Sequence, residues 1–386
     1  MKFFLLFFNF IIIIKNENVN YIFSAKTKEK NSKLFLILYE SGTDKKYEMN
    51  KLDLKHISLN YKEYYFYTYS LELNINNFYS YSIINEKNKL VKVKKQITSK
   101  ELEQIFLENN LKKKNIINNN YYQYDFNSFN IRYENYYEIS LNNSWPARRI
   151  TVMNTIFKYL PDVIGFQELR LNQKIFVEKN LPLYGYIGRP RSPDFSDESN
   201  GILYNKQKFL LMDYGTFWLT ETPDKMSKYE SVYHYRICTW IKVYSYKYKD
   251  IIYFFNTHLE DGHLFITYLQ EVNLLKRVKE ITKNEGNIIV FGDFNGNDNS
   301  VWIHDVFKEG YNSFSDYFQD FRNTYHNFSG IYNRPKWKVD HLFYQNFGNC
   351  KKHFVPLFYD VLTKKEDGKF PSDHFPLYAQ FNLTDN

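Results

Sequence analysis

The stretch Ile288-Ile289-Val290-Phe291-Gly292-Asp293-Phe294-Asn295 decides how the chain is read. Four consecutive apolar residues, three of them β-branched, form the kind of strand that lies inside a sheet covered on both faces. Gly292, Asp293 and Asn295 then end the run with turn-forming residues that also carry oxygen donors. The same arrangement recurs around it. Gln167-Glu168 follows the apolar run 163–166, and Asn256-Thr257-His258 follows the run 251–255. Asp340-His341 precedes Leu342-Phe343-Tyr344, and Ser372-Asp373-His374 precedes the run 375–381. Strand ends along one sheet edge are where a rigid scaffold brings side chains together on a pocket. Between these runs, Val152, Ile156, Phe157 and Leu160 have helical spacing and predict a helix over 152–159, stopped by Pro161-Asp162. Residues 266–281 predict an amphipathic helix, and 201–204 and 239–243 predict strands. No internal repeat is visible.

The residue types narrow the chemistry. Carboxylates and amide oxygens with no Cys among them are hard donors, suited to Mg²⁺ or Mn²⁺ rather than Zn²⁺. Two His beside carboxylates can hold a phosphate while its charge develops. Phosphoester hydrolysis needs a cation, a positioned water and donors around the phosphorus. Singly, most of these residues have ordinary explanations. Asn130 reads as a turn residue, His258 as a satisfied histidine at a strand end, and Asp293 as turn chemistry. Asp340 reads as an ion-pair partner for Lys338. Asp373 and His374, set together before a Pro-containing strand, have no such explanation.

The flanks bound the rest. A chain of 386 residues exceeds the usual single domain, so two domains are expected. Residues 30–98 show short strands with turn signals and predict a small β-rich, sandwich-like accessory module. Its segment Leu71-Glu72-Leu73 to Tyr79-Ser80-Tyr81 resembles the end of a fibronectin type III module, which implies an accessory or docking role. Residues 99–120 read as a linker. Lys2 followed by the apolar run 3–14 predicts a signal peptide or signal anchor over 1–25, ending near Ser24-Ala25. The expected location is the secretory pathway, lumenal or secreted. Asn142-Asn143-Ser144, Asn327-Phe328-Ser329 and Asn382-Leu383-Thr384 have the form of glycosylation acceptors. Cys238 and Cys350 are too few for a disulfide scaffold or a thiolate metal site, and Cys238 reads as a buried small residue. Of 51 basic and 43 acidic residues, 20 and 12 lie in residues 1–120, which leaves residues 121–386 with 31 of each. That neutrality argues against a catalytic domain that grips duplex DNA by its phosphates.

From 121 onward the chain resembles the endonuclease/exonuclease/phosphatase, or DNase I-like, superfamily. The likeness rests on Phe129-Asn130-Ile131-Arg132, Ser144-Trp145-Pro146-Ala147-Arg148-Arg149, Pro161 to Glu168, Gly215-Thr216-Phe217-Trp218-Leu219, Asn256-Thr257-His258-Leu259, Gly292-Asp293-Phe294-Asn295, Lys338-Val339-Asp340-His341 and Ser372-Asp373-His374. The Ser-Trp-Pro and Thr-Phe-Trp-Leu pieces are most similar to a secreted metal-dependent hydrolase branch. The resemblance implies an α/β fold for 121–386: a four-layer α/β/β/α sandwich, its two mostly antiparallel sheets face to face, with the site at one edge between them. It implies Glu168 as principal metal ligand, helped by Asn130, with Asp373 a further metal-proximal carboxylate. Asp293 would orient or deprotonate the attacking water and Asn295 would hydrogen-bond the phosphate or that water. His374 would contact the scissile phosphate with Asp340 holding its tautomer, and His258 would be a second phosphate-facing imidazole. Arg148, Arg149 and Arg236 are rim candidates for an anionic substrate, or else ion pairs at the surface or a strand edge. Lys338, His341 and the Glu260-Asp261-Gly262-His263 segment depart from the family pattern, which bears on the substrate more than the chemistry. The expectation is a Mg²⁺- or Mn²⁺-dependent phosphodiesterase or phosphatase. Its substrate would be a phosphorylated small molecule, a phospholipid or a nucleic acid, with membrane contact in the second case and no stable protein partner. The rivals are a secreted nuclease on DNA or RNA and a non-catalytic binding protein that keeps the fold.

Overall fold

The computed structural model describes residues 18–27, 33–40, 43–51, 57–59, 62–74, 79–85, 90–97, 123–135, 138, 143–296, 310–331, 337–346 and 352–385. The chain divides into two compact units, Met1–Asn120 and Tyr121–Asn386.

The first unit contains β1 (Asn18–Thr27), β2 (Leu34–Glu40), β3 (Thr43–Glu48), β4 (Asn50–Lys51), β5 (Ile57–Leu59), β6 (Lys62–Asn74), β7 (Tyr79–Asn85) and β8 (Leu90–Ile97). They form two antiparallel sheets. One has the order β1-β6-β4 with β5 also on β6, and the other the order β3-β2-β7-β8. Leu36 and Leu38, two apart on β2, are both buried, as the period of a strand requires. Ser24 and Ala25, where a leader is expected to end, lie within β1, paired with Thr68 and Tyr67 of β6. Residues 1–17, the apolar run among them, and the expected linker 99–120 lie outside the described residues. Among the described residues no helix is long and apolar enough to cross a membrane.

The second unit is a mixed α/β sandwich. Its strands are β9 (Tyr124–Asn130), β10 (Val163–Gln167), β11 (Tyr184–Ile187), β12 (Ile202–Asn205), β13 (Phe209–Trp218), β14 (Ile237–Ser245), β15 (Ile251–His258), β16 (Asn287–Asp293), β17 (Asn312–Ser313), β18 (Asp340–Asn346), β19 (Lys352–Val361) and β20 (Leu377–Asp385). Its helices are α1 (Trp145–Tyr159), α2 (Leu171–Asn180), α3 (Leu264–Thr282) and the short α4 (Phe314–Phe318). One six-stranded sheet runs β11-β12-β10-β9-β20-β19, and the other β13-β14-β15-β16-β18-β17. Only β9–β10 and β15–β16 pair in parallel among the described strands of this unit.

The wholly apolar β16 shows why the sandwich forms. Ile289 and Phe291 enter the core between the sheets with Phe126, Val163 and Phe254. Ile288 and Val290 face the other way, onto Leu274 and Val278 of α3. The strand is apolar on both faces because both are covered. Gly165 on β10 lets the sheets approach, since a Cβ there would lie 1.8 Å from the Phe291 ring. On the outer side of the first sheet, α1 and α2 meet through Trp145 and Phe176 (5.7 Å), and Tyr159 leans on Tyr378 of β20 (4.9 Å). The first α-helix begins two turns before the predicted one. Pro146 sits in its first turn, where no amide donor is missed, and Arg148-Arg149 hides the apolar spacing.

Candidate active site

The functional side chains stand where apolar strands stop. In the second sheet, register sets His258 beside Asp293 and Asp293 beside Asp340, at neighbouring ends of β15, β16 and β18. Gly292 makes this junction. Its φ is +138°, and a Cβ would sit 2.0 Å from the Thr257 carbonyl oxygen. Glu168 follows β10 and Asn130 ends β9, so the first sheet presents its own acid to the same edge. Glu168 has φ of +59° and Asn295 of +50°, left-handed values that non-glycine residues seldom adopt and that concentrate at functional sites.

Asp293 is the hub. Its Oδ2 accepts from Asn130 Nδ2 at 2.9 Å, and the same amide donates to Glu168 Oε1 at 3.0 Å. His258 Nε2 lies 3.7 Å and His374 Nε2 3.8 Å from that oxygen. Asp293 Oδ1 accepts from the Asn295 backbone N–H at 2.9 Å. His374 Nδ1 donates to Asp340 Oδ2 at 2.8 Å, so Asp340 fixes the ring with Nε2 toward Asp293. Thr324 Oγ1 accepts from the backbone N–H groups of Val339 and Asp340 and holds that turn. Asp340 therefore serves His374, while Lys338 donates to Ser315 Oγ at 2.7 Å.

The two imidazoles are held in opposite states. For His374, burial favours the neutral ring, but the carboxylates of Asp340, Asp293 and Asp373 together outweigh it and raise the pKa to about 10. For His258, burial, reinforced by Arg236 and Arg191, depresses the pKa well below the ordinary histidine value. Burial, then the neighbouring Asp340, pushes Asp293 up to about 7. At neutral pH the site thus holds one imidazolium, one neutral imidazole and a carboxylate near its midpoint.

Several expected roles take a different local form. Asn130 Oδ1 accepts from the Arg132 backbone N–H at 3.1 Å, so its amide nitrogen bridges Glu168 and Asp293 and its oxygen points away from them. Asn295 spends one amide N–H on the Leu259 carbonyl, at 2.9 Å, and thereby ties β16 to the end of β15. Arg148, a rim candidate, is buried. Its guanidinium donates to the backbone carbonyls of Asn143, Ile131, Pro371 and Arg132 at 2.5 to 3.0 Å. Arg149 lies exposed on α1 over the Phe176 ring. Arg236 is buried beside Glu260, with Nε 3.4 Å from its Oε2. Arg132, to which the sequence reading gave no role, reaches the acids. Its guanidinium is 3.6 Å from Asp373 and 3.9 Å from Glu168, and Nε donates to Glu138 at 2.7 Å. The available signal was its place two residues after Asn130, past a strand end.

A divalent cation suits this donor set. Glu168, Asp293, Asp340 and Asp373 are all buried here, and the cations set directly against them are Arg132 and the His374 imidazolium. Asp293, Asp340 and His374 offer donor atoms within 4.8 Å of one another. The Asp340–His374 hydrogen bond occupies that trio, so Glu168 and Asp373 are the better oxygen ligands. Burial and the Glu168 charge raise the Asp373 carboxyl, a strain that a bound cation relieves.

No curated protein matches the chain. Among solved structures, an endonuclease/exonuclease/phosphatase family protein from Bacteroides thetaiotaomicron superposes with a TM-score of 0.62 at 25% identity, covering 69% of this chain and 99% of that one. A mannosyl-6-phosphatase from the same species gives 0.61 at 25%, over 68% and 99%. The human Nocturnin catalytic domain with bound sulfate gives 0.54 at 18%, over 68% and 94%, and shares the fold. The family model described as Endonuclease/Exonuclease/phosphatase family matches residues 128–374, from β9 through His374. A match over that much of the chain settles its kinship: it belongs to the endonuclease/exonuclease/phosphatase family.

Proposed function

We propose that the chain is a Mg²⁺- or Mn²⁺-dependent hydrolase of phosphorylated small molecules. The observation that carries this is Asp293, a buried carboxylate whose Oδ2 lies 3.7 Å from His258 Nε2 and 3.8 Å from His374 Nε2. Asp293 takes the proton from an attacking water. His374, charged through Asp340, holds the phosphate oxygens as negative charge grows on them, and His258 faces them from the other side without adding charge. Glu168 and Asp373 would hold the cation, with Asn130 orienting Glu168, and a cation there supplies Lewis-acid stabilisation of the phosphate. The equal count of acidic and basic residues in 121–386 favours a small substrate over a nucleic acid. Likeness to a mannosyl-6-phosphatase supports a phosphomonoester. The apolar run 3–14 supports entry into the secretory pathway, which recovery of a tagged chain from the medium would test.

The test is release of inorganic phosphate from a panel of sugar and polyol phosphates with Mg²⁺, Mn²⁺ or chelator. The expected result is cation-dependent turnover lost in Asp293→Asn and in His374→Gln. Absence of turnover on that panel, and on nitrophenyl phosphodiesters and phospholipid headgroups, overturns the reading.

A further inference from the structure

Arg148, Arg191 and Arg236 are all buried around this site, and they differ in how their donors are paired. Arg148 is saturated, its donors directed at four backbone carbonyls. Arg236, 5% exposed, has Nε at 3.4 Å from Glu260 Oε2, and among the described residues its Nη1 is buried without a hydrogen-bond partner. A guanidinium carries five N–H donors in a fixed fork, and a buried one left unpaired is costly. Its natural complement is an oxyanion that takes the free edge of the fork while Glu260 keeps Nε.

The position of Arg236 says where that oxyanion lies. It immediately precedes β14, and β14 pairs with β15 through Cys238 and Thr257, next to His258. The sheet edge therefore reads Ile237, His258, Asp293, Asp340 across four adjacent strands, with Arg236 the residue just outside it. The backbone of Arg236 is thus one strand beyond β15 and two beyond β16, roughly 10 Å from that of Asp293 at ordinary strand spacing.

A second donor stands two residues away. His234 is exposed, and Arg191 NH2 lies 3.3 Å from its Nδ1. A guanidinium can only donate, so Nδ1 accepts and the neutral ring carries its proton on Nε2. Burial and the charges of Arg191 and Arg236 depress the His234 pKa, which keeps the ring in that neutral form. Arg191 is itself fully engaged, with Glu198 at 2.9 Å and Asp197 at 3.2 Å. It orients His234, while Arg236, paired with Glu260 through Nε, keeps Nη1 without a hydrogen-bond partner among the described residues.

We propose that Arg236 and His234 form a second anion subsite beside the scissile-phosphate site, so that the preferred substrate carries a second phosphate or carboxylate. This rests on the hydrolase reading and deepens it.

The experiment uses the full chain and a series of α,ω-alkanediol bisphosphates, from two to six carbons, each beside its own monophosphate. The reading is the ratio of kcat/KM within each pair. At one length the bisphosphate is expected to exceed its monophosphate by about tenfold, the scale of one charge-assisted hydrogen-bond pair. Arg236→Gln should bring that ratio to within about twofold of one, and His234→Ala should lower it less. Arg236→Lys keeps a cation beside Glu260 and serves if the Gln variant fails to fold. It should lose most of the preference, because a point charge does not reproduce the fork. Matching bisphosphonates and monophosphonates, titrated calorimetrically, report the subsite without turnover. If nothing is hydrolysed but a bisphosphonate binds better in an Arg236-dependent way, the hydrolase reading fails and the subsite stands. If neither series shows a preference, or if Arg236→Gln weakens both members of every pair equally, the subsite is wrong. Equal weakening would place Arg236 on the scissile phosphate itself.

Discussion

Asp293 and His374 set the pH behaviour of single residues. A base near 7 and an acid near 10 predict that kcat/KM rises through about pH 7, as Asp293 ionises, and falls as His374 loses its proton at about pH 10. Asp340→Asn removes the charge that holds His374 protonated, so the alkaline limb should move to lower pH. A limb that stays in place would show that Asp340 does not govern that proton. The same shift has a cost in stability. The folded pKa of Asp293 is raised, so the native state resists its ionisation; the penalty is absent below the unfolded value near 4, grows as pH rises and is complete above about 7. Asp293→Asn, melted in chelator, should therefore gain in Tm over the parent at pH 8 and lose that gain at pH 4. Glu168, Asp293 and Asp373 were legible as a site because each stands at the end of an apolar run or against one. The local roles of Asn130, Arg132 and Arg148 were not. They depend on partners as distant as Pro371, 223 positions along the chain from Arg148, and no local pattern encodes such a contact.

At the scale of elements, Arg148 is a clasp. From α1 it joins the end of β9, the segment before α1 and the loop that carries Asp373. Arg148→Met should cost about 3 kcal/mol or more, measured by urea unfolding, because four carbonyls lose their donor. A second cross-link runs between the sheets. Gln167 Nε2 donates to Asn256 Oδ1 at 2.7 Å, and Asn256 donates to the carbonyls of Phe166 and Gly201. This ties the strand before Glu168 to the strand that ends in His258. Gln167→Leu should lower stability by about 1–3 kcal/mol and weaken the apparent Mg²⁺ affinity as Glu168 loses its register. A loss of stability with unchanged Mg²⁺ dependence would confine the pair to packing. Strands such as β16 were plain in the sequence because cover on both faces leaves an unbroken apolar run. The start of α1 was not, because its first buried residues include an arginine satisfied by backbone.

At the scale of the molecule, charge and chemistry are separated. All of the excess of basic residues lies in 1–120, and the site lies in 121–386. A chain limited to 121–386 should hydrolyse a small phosphomonoester within about threefold of the full chain. Binding to plasmid DNA, if the full chain shows any, should vanish with residues 1–120 and weaken steeply with salt. The order of strands in the first sheet carries a further consequence. β20 sits between β9 and β19, so the last of the described strands fills a place beside β9, the first described strand of the second unit. Until β20 arrives, β9 has an open edge, and Asp373 and His374, just ahead of β20, have no fixed place. Closing a loop of that span is slow and entropically expensive. A chain that lacks β20 should thus be inert. Any turnover depends on this long-range pairing, so its recovery after dilution from denaturant should not precede the phase in which β20 joins β9.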